Sequence, residues 1–443
     1  MPKKERIIIV TIALAITSML LLSVIKEQTN VYALTFAEET ILGGSNQDIA
    51  RGVAVWGTKH VIVGYTNSFG AGGYDAFIAV KDGATTSMWT FGTSDHDYAF
   101  AVAVYGDYAY IVGTTKNPSS YFDIFVVKWD LDNPGIVAQI AIASPYADRA
   151  FGVTVDANYV FVTGQFNEKE TFLAILDATN LNLLHFVRLD AGLDYEFGYG
   201  IDYYWTGSQY IIIIGGSTKS VTFGGHDASI LRIDWDPAAG TPGLVWSLRF
   251  GTSADDAIQA VKFTSSSTFV VAGVSNNNGF IASFTIDGGV IAGKATVFST
   301  SSRINSIAYD GTYLYAAGQF HNPPNVDDAL ILRIDNNGAL VDAKGYGKAT
   351  IDRAHGIAVS GSNIVVVGET STSINNVFTP SFNFVWIQWN PISTPIYTPY
   401  LYTGSVSYSA TPFTPSTYDP GFTSASQTIV SGDGEAFYVR FTL

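Results

Sequence analysis

The sequence predicts an all-β fold: a seven-bladed β-propeller of four-stranded blades, closed by an N-terminal strand that completes the C-terminal blade. Three observations predict it. One short motif recurs seven times, each recurrence is followed by further strand signals, and the two ends of the chain read as complementary fragments of one repeat.

The bulk composition agrees. Of 443 residues, 14% are charged and 14% aromatic, with 43 glycines, which is a strand-and-turn composition. The formal charge of −15 excludes nucleic acid as a partner, because nothing would neutralise phosphates, and leaves cations as ligands. There is no cysteine, hence no disulfide, thiolate metal site or cysteine nucleophile.

Residues 1–33 carry a basic start, "MPKKER", an uncharged run of 19 residues from Ile7 to Ile25, and "VYA" before a cleavage point after Ala33. This reads as a cleaved export signal or as an uncleaved membrane anchor, since 19 apolar residues also suffice to span a bilayer. Either way, residues 34–443 are expected outside the cell or on its surface, with the membrane touched only through that segment.

The motif is acid-x-small-x-small-aliphatic-x-aliphatic. It starts at Asp48, Asp97, Asp148, Glu196, Asp256, Ser302 and Asp352, and these starts define units 1 to 7. Alternate small residues such as Ala50, Gly52 and Ala54, or Ala99, Ala101 and Ala103, are expected on one face by the two-residue period of a strand. They suit a strand a crowded at the hub. Strand b follows as "HVIVGYT", "AYIVGTT" or "IVVVGET", ending at Gly64, Gly113, Gly164, Gly216, Gly273, Gly318 and Gly368. Glycine there predicts a positive φ or a bulge. Strand c reads "DAFIAVKD" or "DALILRID", and a turn leads to strand d, as in "SMWTFGT". The mature chain opens on "LTFAEETILGG", a lone strand d, and ends on "GDGEAFYVRFTL", a lone strand c. Joining them removes free sheet edges.

The pattern FGTS-x-x-D-x-A-x-A-V-A-V, then Y-I-V-G-T-T, then D-x-F-V-V-K resembles the SBBP-type seven-bladed β-propeller repeat, and is similar in strand order to NHL propellers. The resemblance covers residues 36 to 368 and resumes at 433. It implies the fold and an extracellular setting, and carries over little activity.

The pattern breaks at about 370–432, inside the b–c connection of unit 7. This insertion holds 7 of the 15 prolines, and Asp419 is its only charged residue. Trp386, Trp389, Tyr397, Tyr400, Tyr402 and Tyr408 crowd its middle, as suits a contact surface for sugar rings or a protein, or the small core of a lid over one propeller face. The stretch 381–390 competes with 435–441 for the third strand of the last blade.

Acids recur where strands a and c begin. Asp48, Asp97, Asp148, Asp256 and Asp352 form one series with Glu196, broken only by Ser302. Asp75, Asp123, Glu170, Asp227, Asp328 and Glu435 form the other, broken by Gly279. Such carboxylates suit Ca²⁺ near a channel mouth, or the capping of their own turns. The six histidines (His60, His96, His185, His226, His321 and His355) lack zinc-ligand spacing, and no nucleophile elbow or phosphate loop occurs. The expected function is an extracellular binding or structural module for a surface polysaccharide or an envelope protein, with self-association as an assembly subunit a further option. The alternative is a secreted polysaccharide-acting enzyme using Asp97, Asp148 and Asp256.

Overall fold

Strand b of each unit is a run of β-branched and aromatic residues buried along nearly its whole length, as in Lys59–Thr66, Tyr108–Lys116 and Asn363–Thr370. A strand buried on both faces must sit mid-sheet with neighbours above and below. The computed structural model, which describes residues 33–116, 121–192, 195–219, 225–321, 327–347, 351–370, 377–378, 384–385, 409–412, 415–427 and 436–443, has that arrangement. Residues 1–32 and Glu435 lie outside the described residues.

The fold is all-β, with no helix among the described residues. Antiparallel sheets of four or five strands follow the order a-b-c-d from unit to unit. In unit 1 these strands are Asp48–Trp56, Lys59–Thr66, Asp75–Asp82 and Thr85–Gly92. The sheets of units 5 and 6 share one 20-residue strand, Val290–Tyr309, which serves first as strand d and then as strand a. In the last sheet Ala436–Thr442 pairs with Asn363–Thr370 on one side and Thr35–Leu42 on the other. It therefore takes the third position, while Phe384–Val385 pairs with Val297 and Phe298 of unit 5.

Successive strands a touch one another, from Asp48–Trp56 through Asp97–Tyr105, Arg149–Val155, Glu196–Trp205, Asp256–Phe263 and 302–309 to Asp352–Ser360, which touches Asp48–Trp56 again. Apolar clusters fill the gaps between consecutive sheets. One cluster joins units 6 and 7, and another, with Ala50, Ile62, Phe77, Val365 and Tyr438, lies between units 7 and 1. At the hub the backbones approach closely. A Cβ on Gly200 would lie 2.8 Å from the Ala260 Cα, and one on Gly356 would lie 3.1 Å from the Arg51 carbonyl oxygen.

One expectation is corrected here. The small residues of strand a do not share a face. Ala50 pairs with Gly64 but Gly52 pairs with Val63, so the single extra residue between them turns the strand over. Ala99 accordingly packs towards unit 1, and Ala101 and Ala103 towards unit 3. Both faces of strand a thus receive small side chains, which a hub strand squeezed from both sides requires.

The described parts of the 370–432 insertion are short edge strands. Val377–Phe378 pairs with strand d of unit 6 and Phe384–Val385 with strand d of unit 5. Ser409–Pro412, Ser416–Tyr418 and Thr423–Gln427 then pair with strand d of units 3, 2 and 1. These described pieces thus lie along outer sheet edges in reverse order, covering backbone groups that would otherwise be open to pairing. Phe422, buried between Phe91 and Phe125 with centroids at 5.8 and 5.2 Å, pins it down.

Candidate functional site

The residue that overturns strand a also builds a site. In every unit one residue, the fourth of the motif, is left unpaired: Arg51, Phe100, Phe151, Tyr199, Gln259, Asn305 and His355. A β-bulge re-aims the side chain it carries. All seven line a cavity of about 450 Å³ among the strands a, joined by Arg303, Gln319, Arg353 and Glu369.

Opposite each bulge stands the glycine that ends strand b. A Cβ on Gly64 would fall inside the Ile49 carbonyl oxygen, and one on Gly113 inside the Tyr98 oxygen. None of the seven glycines has a positive φ, so of the two expected reasons the bulge is the operative one. Glycine is needed because the carbonyl two residues before the bulged one, such as that of Ile49 or Tyr98, lies against strand b where a Cβ would stand.

The mouth is divided by chemistry around its circumference. Phe100, Phe151 and Tyr199 form an aromatic arc, with ring centroids 5.4 Å apart at both contacts. Gln259 and Asn305 follow. Asn305 Nδ2 donates to the Ala354 carbonyl at 2.8 Å, whereas Gln259 makes no side-chain hydrogen bond among the described residues. His355 and Arg51 complete the ring, with Arg303 and Arg353 one pair of residues upstream on their strands.

The cationic arc is wired. Arg51 Nη2 donates to Tyr65 Oη at 2.8 Å, and Nη1 lies 3.4 Å from His355 Nδ1. His355 Nε2 faces Glu369 Oε1 at 3.5 Å, so the imidazole accepts from Arg51 and donates to Glu369. Burial, reinforced by the Arg51 charge, holds the His355 pKa down to about 4, and the ring stays neutral. Burial pushes Glu369 upward, but His355, Arg51 and Arg353 outweigh it and hold that carboxylate to about 2. Arg353 is neutralised, donating to Glu369 at 3.1 Å and to Asp327 at 3.0 Å. Arg51 and Arg303 make no ion pair with a described residue. Arg303 is solvent-accessible, yet the concave walls and the nearby Arg353 lower its pKa.

The strand-start acids stand elsewhere. Asp48, Asp97, Asp148, Asp256 and Asp352 are at most 1% exposed and do not line the mouth. Four of them accept the backbone N–H four residues upstream: Gly44 at 2.9 Å, Thr93 at 2.7 Å, Ser144 at 2.5 Å and Thr252 at 2.6 Å. They close the d–a turn, as Asp does through its side-chain acceptor. No group of three or more His, Cys, Asp or Glu able to hold a metal occurs among the described residues. A Ca²⁺ ion does not fit these aspartates, because the backbone atoms aimed at them are N–H donors rather than the oxygens it needs.

The two acid series meet. The strand c acid of one unit neighbours the strand a acid of the next. Asp97 raises the pKa of Asp75, Asp123 raises that of Asp148, and Gly251 and Gly347 each stand against one acid of either series. The two breaks in the series fall on one junction, where Gly279 N donates to Ser302 Oγ at 2.9 Å. Burial, with the neighbouring acid as a lesser cause, pushes Asp148 up to about 7 and Asp75 to about 6.

Trp386, Trp389, Tyr397, Tyr400, Tyr402 and Tyr408 lie outside the described residues. The sequence reading missed the mouth residues, although a signal was present: the fourth position of the motif is always a larger polar or aromatic residue.

No family model matches the chain, and no curated protein matches it. Among solved structures it is similar to the β-propeller domain of the Trilobed protease from Pyrococcus furiosus, at 11% identity and TM-score 0.42, covering 81% of this chain and 100% of that one. It is also similar to the phage phi92 endosialidase, at 10% identity and TM-score 0.43, over 92% of this chain and 69% of that one.

Proposed function

We propose that this chain is a closed seven-bladed β-propeller, exported to the cell exterior, and that it works as a binding module through the mouth of its hub. The closed ring is supported by the contact of Asp352–Ser360 with Asp48–Trp56 and by the apolar cluster between units 7 and 1. The single observation that carries the binding reading is the bulge, repeated in all seven strands a, which directs non-small side chains into one cavity. The scaffold uses the bulge to turn strand a over, but that use does not call for arginine, glutamine and aromatic side chains at the bulged position. The uncharged run from Ile7 to Ile25 supports export. Hydrolysis by Asp97, Asp148 and Asp256 is disfavoured, because all three are sealed from solvent.

The test is binding of the full chain to a panel of surface polysaccharides and envelope extract. Phe151→Ala is expected to lose the interaction while the chain stays folded, since Phe151 is only half-buried at the mouth and its truncation costs only part of a core ring's packing. Binding that survives both Phe151→Ala and Phe100→Ala would remove the mouth from consideration.

A further inference from the structure

Three features of the mouth together select a ligand class. The aromatic arc of Phe100, Phe151 and Tyr199 offers ring faces to an apolar surface. Next to it, Gln259 has a side-chain amide with no hydrogen-bond partner among the described residues, and the Asn305 side-chain oxygen accepts nothing from them. Beyond these, three guanidiniums (Arg51, Arg303 and Arg353) face two carboxylates (Glu369 and Asp327), and three minus two leaves one positive charge. Just outside, Arg149 acts on Tyr199 and Asp255 on both Tyr199 and Arg303, and these two opposite charges add nothing to the count. One uncompensated guanidinium charge in a concave, partly desolvated site attracts a monoanion, and a planar carboxylate matches the guanidinium fork.

Resting on the binding reading above, we infer that the mouth takes a saccharide residue bearing a carboxylate. The C–H face of the pyranose lies on the Phe151 arc, its hydroxyls meet Gln259 and Asn305, and its carboxylate meets Arg303 and Arg51. The chain as a whole carries a charge of −15, so this site is a local exception to the field that surrounds it. Selectivity for an acidic sugar then comes from Arg51 and Arg303, which make no ion pair with a described residue, rather than from general attraction.

The experiment is calorimetric titration of the full chain with galacturonate, glucuronate and nonulosonate oligosaccharides, neutral oligosaccharides of the same length, a sulfated oligosaccharide, and galacturonate monomer. An acidic oligosaccharide is expected to bind at least about tenfold tighter than its neutral counterpart. Arg303→Gln and Arg51→Gln are expected to erase that preference, with Arg51→Lys restoring part of it. Binding of the monomer with the same arginine dependence would place recognition in one residue; its absence alongside oligomer binding would assign a longer chain. Equal binding of neutral and acidic forms, or tighter binding of the sulfated one, overturns the inference; if Phe151→Ala still abolishes that binding, the mouth reading survives. No binding by any acidic oligosaccharide overturns the inference as well.

Discussion

Replacing Asp148 by Asn should change how stability depends on pH. Asp148 is fully buried, accepts the Ser144 and Asn167 backbone N–H groups at 2.5 and 2.6 Å, and keeps its proton up to a pKa of about 7 against an ordinary 3.8. Between those values the folded state holds one proton more than the unfolded state. The stability it confers is therefore complete below about pH 3.8 and is lost as pH rises through about 7. Three pKa units correspond to about 4 kcal/mol, an order-of-magnitude ceiling, with a slope of about 1.4 kcal/mol per pH unit. Asn cannot ionise, so Asp148→Asn removes this slope while adding a pH-independent cost for the acceptor it loses. His355 and Glu369 act in the opposite sense, because their lowered folded pKa values of about 4 and about 2 remove stability on acidification. They are remote from Asp148 and cancel in the difference between variant and parent. The assay is denaturant unfolding of both proteins from pH 4 to pH 8. The stability of Asp148→Asn relative to the parent should rise across that window and level off above pH 7. A flat difference would refute a protonated Asp148.

Two further substitutions test the architecture, alongside the mouth variants already described. Gly113→Ala places a methyl inside the Tyr98 carbonyl and 2.8 Å from the Phe125 ring, and should destabilise by about 3 kcal/mol or more; a loss under about 1 kcal/mol in chemical denaturation would mean that the bulge relaxes freely. Phe422→Ala removes the ring buried between Phe91 and Phe125 and should cost about 3 kcal/mol, with faster proteolysis inside 370–432; an unchanged digestion pattern would contradict the edge-strand role of that segment.

Much of the fold was legible because it is periodic. Strand b announces itself by β-branched runs and the units by their repeated acid and glycine, whereas the third strand of the last sheet stayed open between 381–390 and 435–441 until the pairing of Ala436–Thr442 decided it. Local pattern suffices there, since each strand pairs with its sequence neighbour. The one-face reading of Ala50, Gly52 and Ala54 failed because a two-residue period assumes an unbroken ladder, and a bulge adds one residue without changing composition. The insertion was legible as an anomaly but not as edge strands, because its partners lie up to some 340 residues away and impose no pattern on it.

By itself, the sequence determined the all-β class, the repeat and its four-strand unit, since these follow from short-range alternation and turn chemistry. It also placed acids at strand starts, but whether those acids face a channel or a core depends on which sheet packs over them. Only the tertiary structure decided that the acids are buried at the junctions between sheets, and that Arg51, Phe100, Phe151, Tyr199, Gln259, Asn305 and His355 converge on one mouth. Those seven residues are some fifty positions apart along the chain, and the contact of each strand a with the next is what makes them neighbours.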